Sequence, residues 1–285
     1  ECFDDGQGSG DGPVTLQKTP YGEHDMKLAN KVAVVTGGAR GIGRGIAQRF
    51  VAEGCRVMIG DVLEERLAET VAELGENCAG IVADISQQAD AQRLIDEAVA
   101  RFGQLDVCVN NAAISRLASL LDLSEEDFDA VMGVNIKGAF LVSQAAARRM
   151  VEQGHGGAIV NLSSINAIVA IPGLTAYTIS KGAIHQLTRS GAVQLAQHGI
   201  RINAIGPGTI DTEMAAGLLA DPEAKEKIMS RIPLGRLGGT DEIAAIALFL
   251  ACDESSYVTG ETIYADGGRL SLNLTLGPDE RGPEA

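Results

Sequence analysis

The chain has 285 residues, 45% of them hydrophobic and 21% charged, enough to bury one sizeable α/β core. Its net charge of −15 and pI near 4.7 argue against nucleic acid and anionic membranes as partners, because an acidic surface repels both; a soluble, cytoplasmic protein is expected. No uninterrupted apolar run reaches the ~18 residues of a membrane helix, and Cys2, Cys55, Cys78, Cys108 and Cys252 show no CxxC spacing, so neither disulfides nor a metal site is predicted.

Residues 1–25 carry six acidic side chains against Lys18 alone, with repeated glycines, the composition of a disordered acidic tail or an appended extension. An alternating pattern begins at residue 26. Val32 to Thr36 is a β-branched apolar run, Ile42 to Glu53 a helix, Arg56 to Gly60 a strand and Glu64 to Leu74 a helix. The rhythm continues with strands at Gly80 to Ala83, Asp106 to Val109, Ala158 to Leu162, Arg201 to Ile205 and Glu261 to Tyr264. Helices are predicted at Ala89 to Phe102, Ser124 to Gln153, Ala176 to Gln197 and Asp241 to Ala251.

Strands without internal polar alternation, joined by helices, predict a Rossmann-type, doubly wound parallel sheet of about seven strands in one domain, residues 26–269. Between Thr209 and Pro233, Met214, Leu218, Leu219, Ile228 and Met229 decorate a helical segment read as a small substrate lid. In the C-terminal extension, residues 270–285, Leu270, Leu272, Leu274 and Leu276 alternate with polar residues, which predicts an extended stretch.

Gly37, Gly41 and Gly43 follow the first strand and open the first helix, the context in which backbone amides reach a pyrophosphate. Asp61 ends the second strand; a carboxylate there accepts from both ribose hydroxyls of an adenosine and repels a 2′-phosphate. At ~4 Å and an effective dielectric of 20 that repulsion is on the order of 4 kcal/mol. NAD is therefore expected over NADP, although Arg40 inside the turn offers a contact to either phosphate.

Tyr177 and Lys181 stand at i and i+4 on one helix face, so an ammonium can favour the phenolate. A phenol acting as a base near pH 7 to 8 must fall by about 2 to 3 units from its free value. With Ser164 and the glycine turn, the pair reads as redox chemistry on an alcohol or a ketone.

Thr36 to Gly43, Asn110-Asn111-Ala112, Asn135, Ser164, Tyr177-x-x-x-Lys181, Pro207-Gly208 and Asp266-Gly267-Gly268 occur in this order and together resemble the short-chain dehydrogenase/reductase family, from about Lys27 to Arg269. The resemblance implies Tyr177 as acid/base, Ser164 as the holder of the substrate oxygen, Lys181 on the phenol and the nicotinamide ribose, and Asn135 on a relay water. Ser164 rather than Ser163 matches because the family serine lies thirteen residues before the tyrosine. It also implies that Asp84 and Ile85 flank adenine, Asn111 and Ala112 lie along the adenosine ribose, and Ile210 and Thr212 hold the carboxamide. Gly37, Arg40, Gly41, Ile42, Gly43, Pro207 and Gly208 complete the expected cofactor set. Ala113 stands where the family usually has glycine.

Ser115, Arg116, Ser164, Asn166, Ile171, Tyr177 and Met214 are expected around a small-molecule substrate. Asn166 is suited either to a second substrate hydroxyl or to forming a turn. A homotetramer is implied through pairing of the long helices after strands four and five. The competing functions are an NADPH-dependent 3-oxoacyl reductase and a non-catalytic dinucleotide sensor.

Overall fold

A computed structural model describes residues 26–213, 215 and 220–282. The acidic segment 1–25 and Met214, Leu218 and Leu219 of the expected lid lie outside the described residues. The strands are β1 (Val32–Thr36), β2 (Arg56–Asp61), β3 (Cys78–Val82), β4 (Val107–Asn110), β5 (Gly157–Leu162), β6 (Ile200–Pro207) and β7 (Thr262–Ala265). They form one sheet in the order β3-β2-β1-β4-β5-β6-β7, parallel throughout.

The helices are α1 (Gly41–Ala52), α2 (Glu64–Leu74), α3 (Gln88–Phe102), α4 (Glu125–Met132), α5 (Ala139–Gln153), α6 (Thr175–Leu195), α7 (Pro222–Met229) and α8 (Thr240–Ala251). All five residues of β1 are buried, because alternate side chains enter two cores. Ala33 and Val35 meet Ile46 and Phe50 of α1 and Ile243 of α8; Val32 and Val34 meet Leu94 of α3 and Val142 and Met150 of α5. Burial on both faces explains the apolar runs without alternation.

The β1 strand pairs with β2 on one side and β4 on the other. Winding reverses there, which opens a crevice beyond the carboxyl ends of these two strands.

Two expectations are corrected. The helix predicted over Ser124 to Gln153 is helical but not uniform: Gly133–Gly138 is a π-helical stretch between α4 and α5. Averaged over a window, Glu125–Gln153 is long and apolar enough to cross a membrane, yet half of that window is buried, and Val142, Ala146 and Met150 are core residues. It is a core helix interrupted at its middle.

The C-terminal stretch is not an extended strand. The Asp266 carboxylate accepts from the amides of Gly268 (2.9 Å) and Leu270 (2.7 Å), curling the chain into a 3₁₀ turn at Arg269–Ser271. The chain then returns to the segment around α7. Leu276 N–H donates to Ser230 O and Gly282 N–H to Pro233 O, both at 2.8 Å, and the Arg281 guanidinium pairs with Glu226 of α7.

Candidate active site

The glycine turn joins β1 to α1 at the crevice. Gly37 has φ 64°, a backbone that other residues rarely adopt. A Cβ on Gly43 would strike the Gly37 carbonyl and the Asn111 side chain, so the turn stays close enough for backbone amides to face a diphosphate. From the opposite wall, Thr212 Cγ2 would lie 3.7 Å from a Cβ on Gly41. Pro207, Gly208 and the buried Ile210 lead to that wall.

The neighbouring polar groups brace the turn. Thr36 Oγ1 accepts from the amides of Asn111 (3.0 Å) and Ala112 (3.1 Å). The Asn111 side chain donates to the carbonyls of Thr36 (3.0 Å) and Gly37 (2.9 Å), so it ties β4 to the turn rather than projecting freely along a ribose. Asp61 is buried, its two oxygens accepting from the amides of Ala39 (3.0 Å) and Leu63 (3.1 Å). Each oxygen keeps a second lone pair. Arg40 bonds Glu213 at 3.2 Å across the mouth.

At the end of β3, Asp84 accepts from Ser86 N–H (3.0 Å). Ile85 is buried beneath Gly138, where a Cβ would come within 2.8 Å of its Cδ1.

On the other half of the crevice, β5 ends at Leu162, and the chain passes through Ser163 and Ser164 into a 3₁₀ turn at Ile165–Ala167. Ser164 caps that turn, its hydroxyl accepting from the Asn166 amide at 3.1 Å. Tyr177 and Lys181 project from the first turns of α6, with Lys181 Nζ 5.3 Å from the tyrosine ring centre. The ammonium donates to Leu162 O at 2.7 Å, and Ser163 donates to the Lys181 carbonyl at 3.1 Å. The helix is thereby pinned to the end of β5.

Asn135 sits in the π-helical stretch, 2% exposed. Its amide closes a two-way bond with Ile114, accepting from N–H (2.8 Å) and donating to C=O (2.9 Å). It also donates to Ser180 Oγ (3.0 Å), which in turn donates to the Tyr177 carbonyl (2.7 Å). A widened turn at a functional position is the usual place for a π-bulge. The sequence reading missed Ser180, whose only signal was its place beside Lys181, and gave Thr36 no role beyond opening the glycine motif.

Burial governs the charges. Desolvation pushes the Tyr177 phenol above its ordinary value, opposed by the adjacent Ser164 hydroxyl. Lys181, 3% exposed, is pushed down to about 8 by the same cause. The fall in the phenol expected from Lys181 is therefore not present; burial moves the group the other way.

Among the expected substrate residues, Ser164, Asn166 and Tyr177 converge around one turn. Ser115 and Ile171 are half-buried on the loops after β4 and β5, which an Ala118 N–H bond to Gly173 O (3.0 Å) holds together. Arg116 turns outward to Asp127 at 3.3 Å, with its side chain 53% exposed. Met214 lies outside the described residues.

Residues 37–269 match the model of a family described as enoyl-(acyl carrier protein) reductase. The chain is 43% identical to an L-rhamnose 1-dehydrogenase (NAD(P)(+)) of Azotobacter vinelandii over 256 residues, 87% of this chain and 100% of the relative. It is also 43% identical to a 3-oxoacyl-[acyl-carrier-protein] reductase of Thermotoga maritima over 248 residues, covering 85% and 99%. A solved short-chain type dehydrogenase/reductase from Mycobacterium marinum superposes with a TM-score of 0.83 at 34% identity, covering 87% of this chain and 98% of that one. With the parallel sheet, glycine turn and Ser164–Tyr177–Lys181 cluster in place, the chain belongs to the short-chain dehydrogenase/reductase family.

Proposed function

We propose that this chain is an NAD-dependent oxidoreductase interconverting a secondary alcohol and a ketone, with Tyr177 as acid/base. The observation that carries the reading is the convergence of Ser164, Tyr177 and Lys181 at the carboxyl ends of the strands, beside a turn whose glycines leave room for a diphosphate.

In the oxidative direction the Tyr177 phenolate takes the hydroxyl proton while Ser164 donates to the oxygen as it becomes a carbonyl. Oxidised nicotinamide, when bound, would supply the hydride acceptor and a positive charge. Lys181, its ammonium 5.3 Å from the centre of the tyrosine ring, adds its charge to that of the coenzyme in favouring the phenolate. Asn135, fixed by Ile114 and Ser180, orients a water that passes the proton outward. Reduction runs through the same groups in reverse.

Asp61 supports NAD over NADP. Its carboxylate is fixed by two amides and keeps acceptor capacity for ribose hydroxyls, whereas a 2′-phosphate would meet like charge. Arg40, the one cation in the turn, is engaged by Glu213. The similarity to a 3-oxoacyl reductase keeps a second reading in view, and coenzyme preference separates the two.

A homotetramer in the cytoplasm completes the reading. The groove between α5 and α6 has a volume of about 560 Å³ and is walled by Phe140, Ala147, Val151, Leu187 and Leu195; Phe140 and Val151 are exposed in the single chain, and a second copy laying its own pair of helices there would cover them. A purely monomeric protein in sedimentation would refute the assembly. The chemistry is tested by following the nicotinamide absorbance over a panel of secondary alcohols with NAD and with NADP; coenzyme binding without any turnover would favour the sensor.

A further inference from the structure

Beside Ser164 stands a buried side chain whose amide has no hydrogen-bond partner among the described residues. Asn166 is 4% exposed and lies two residues past Ser164, its backbone N–H on the Ser164 hydroxyl. Among the described residues, its side-chain amide makes no hydrogen bond to any donor or acceptor. Neither its oxygen nor its nitrogen is among the fully enclosed atoms that lack a partner, so the small surface it retains includes both ends of the amide. The turn-forming role open from sequence belongs to the backbone of this residue and to Ser164, which leaves the amide unused.

We infer that Asn166 reads a second hydroxyl on the substrate, adjacent to the carbon that is oxidised, and so selects vicinal diols, polyols and sugars over simple alcohols and 3-oxoacyl chains. This rests on the reading of Ser164 and Tyr177 as the groups that hold the reacting oxygen. The Asn166 backbone is bonded to the Ser164 hydroxyl itself, so a ligand group that its amide reaches is close to that oxygen. An amide offers both a donor and an acceptor, which one hydroxyl satisfies together.

A methylene at that place would leave the buried amide dry and unpaired, the condition under which sites discriminate most strongly between a hydroxylated substrate and its deoxy analogue. A 3-oxoacyl chain presents methylene carbons there. The same sequence similarity joins this chain to a sugar dehydrogenase and to an acyl reductase, and the Asn166 amide favours the first.

The test compares butane-2,3-diol with butan-2-ol as substrates for the full chain with saturating NAD, as the ratio of kcat/KM values. The wild type is expected to favour the diol at least tenfold. Asn166→Leu, similar in size but without the amide, should bring that ratio to within about threefold of unity, and Asn166→Asp, which keeps an acceptor, should retain part of the preference. A wild-type ratio near unity overturns the proposal, as does a ratio unchanged in Asn166→Leu.

If the leucine variant does not fold, the wild-type ratio and that of Asn166→Asp decide. Failure of the underlying reading looks different: neither substrate is turned over by the wild type, or Tyr177→Phe turns over both at the wild-type rate.

Discussion

The two sides of the crevice are finished to different degrees. On the nucleotide side, polar groups close on one another: Asp61 with two amides, Asn111 with two carbonyls, Arg40 with Glu213. On the chemical side, Lys181 is buried against a single carbonyl, Tyr177 is held above its ordinary pKa, and the Asn166 amide has no protein partner among the described residues. Under the proposed function, backbone and short side chains hold the coenzyme side in place, Asp61 keeping acceptor capacity for the ribose, whereas the groups at the reacting bond keep theirs for the substrate.

The comparison breaks most visibly at Tyr177. Removing the hydroxyl in Tyr177→Phe should lower kcat by about 10³-fold or more and leave NAD affinity within about twofold, because the nucleotide side does not depend on the phenol. Calorimetric titration beside steady-state kinetics checks both halves; a parallel loss of binding would show that the sides are not separable.

Lys181 gives the next largest effect, seen in stability. Its folded value of about 8 lies below the ordinary 10.5, so the unfolded chain holds the proton more tightly across that window. The sign follows from linkage: stability rises as pH climbs from about 8 to about 10.5, by up to ~3 kcal/mol, and below pH 8 the full burial cost is present. Lys181→Met lacks this group, so the wild type should gain stability relative to the variant over that range in denaturant titrations. Parallel pH curves would show that the ammonium is solvated in solution. Turnover should be lost in the variant at every pH.

The nucleotide side is tested by Asp61→Asn, which preserves an acceptor for one amide and removes the charge. The ratio of kcat/KM for NAD over NADP should fall by about tenfold to 10²-fold, the effect of removing one like charge near a phosphate at intermediate dielectric. An unchanged ratio would return the selectivity to Arg40.

The sheet was legible because burial on both faces leaves apolar runs such as Val32 to Thr36, and the turn because its glycines sit between strand and helix. The pairing of Tyr177 with Lys181 was legible from their i, i+4 spacing, and the place of Ser164 beside them from the family resemblance. Two features were not. The π-helical stretch Gly133–Gly138 carries no sequence mark, and its Asn135 bonds to Ile114 and Ser180, partners that only the fold brings near. The leucine alternation after Arg269 has the period of a strand, but Asp266 turns the chain back through its carboxylate and sends it to α7. Local period lost to a side-chain-to-backbone contact that depends on the fold.

Ser180 provides the smallest effect and the finest test of the boundary between chemical groups and their support. It is fully buried and touches no reacting atom; its hydroxyl links the Asn135 amide to the carbonyl of Tyr177. Ser180→Ala leaves the Asn135 nitrogen with its Ile114 bond, so the loss is one shared hydroxyl, about 1 kcal/mol of stability. If that hydroxyl also keeps the relay asparagine in register with the phenol, kcat should fall several-fold while KM for alcohol and NAD holds, and the fall should be greatest at low pH, where the phenolate is scarce and proton removal limits the rate. Ser180→Cys, which restores a weak donor in nearly the same volume, should recover part of it. A lower melting temperature with kcat and its pH profile unchanged would assign Ser180 to packing alone and place the chemical side's boundary at Asn135.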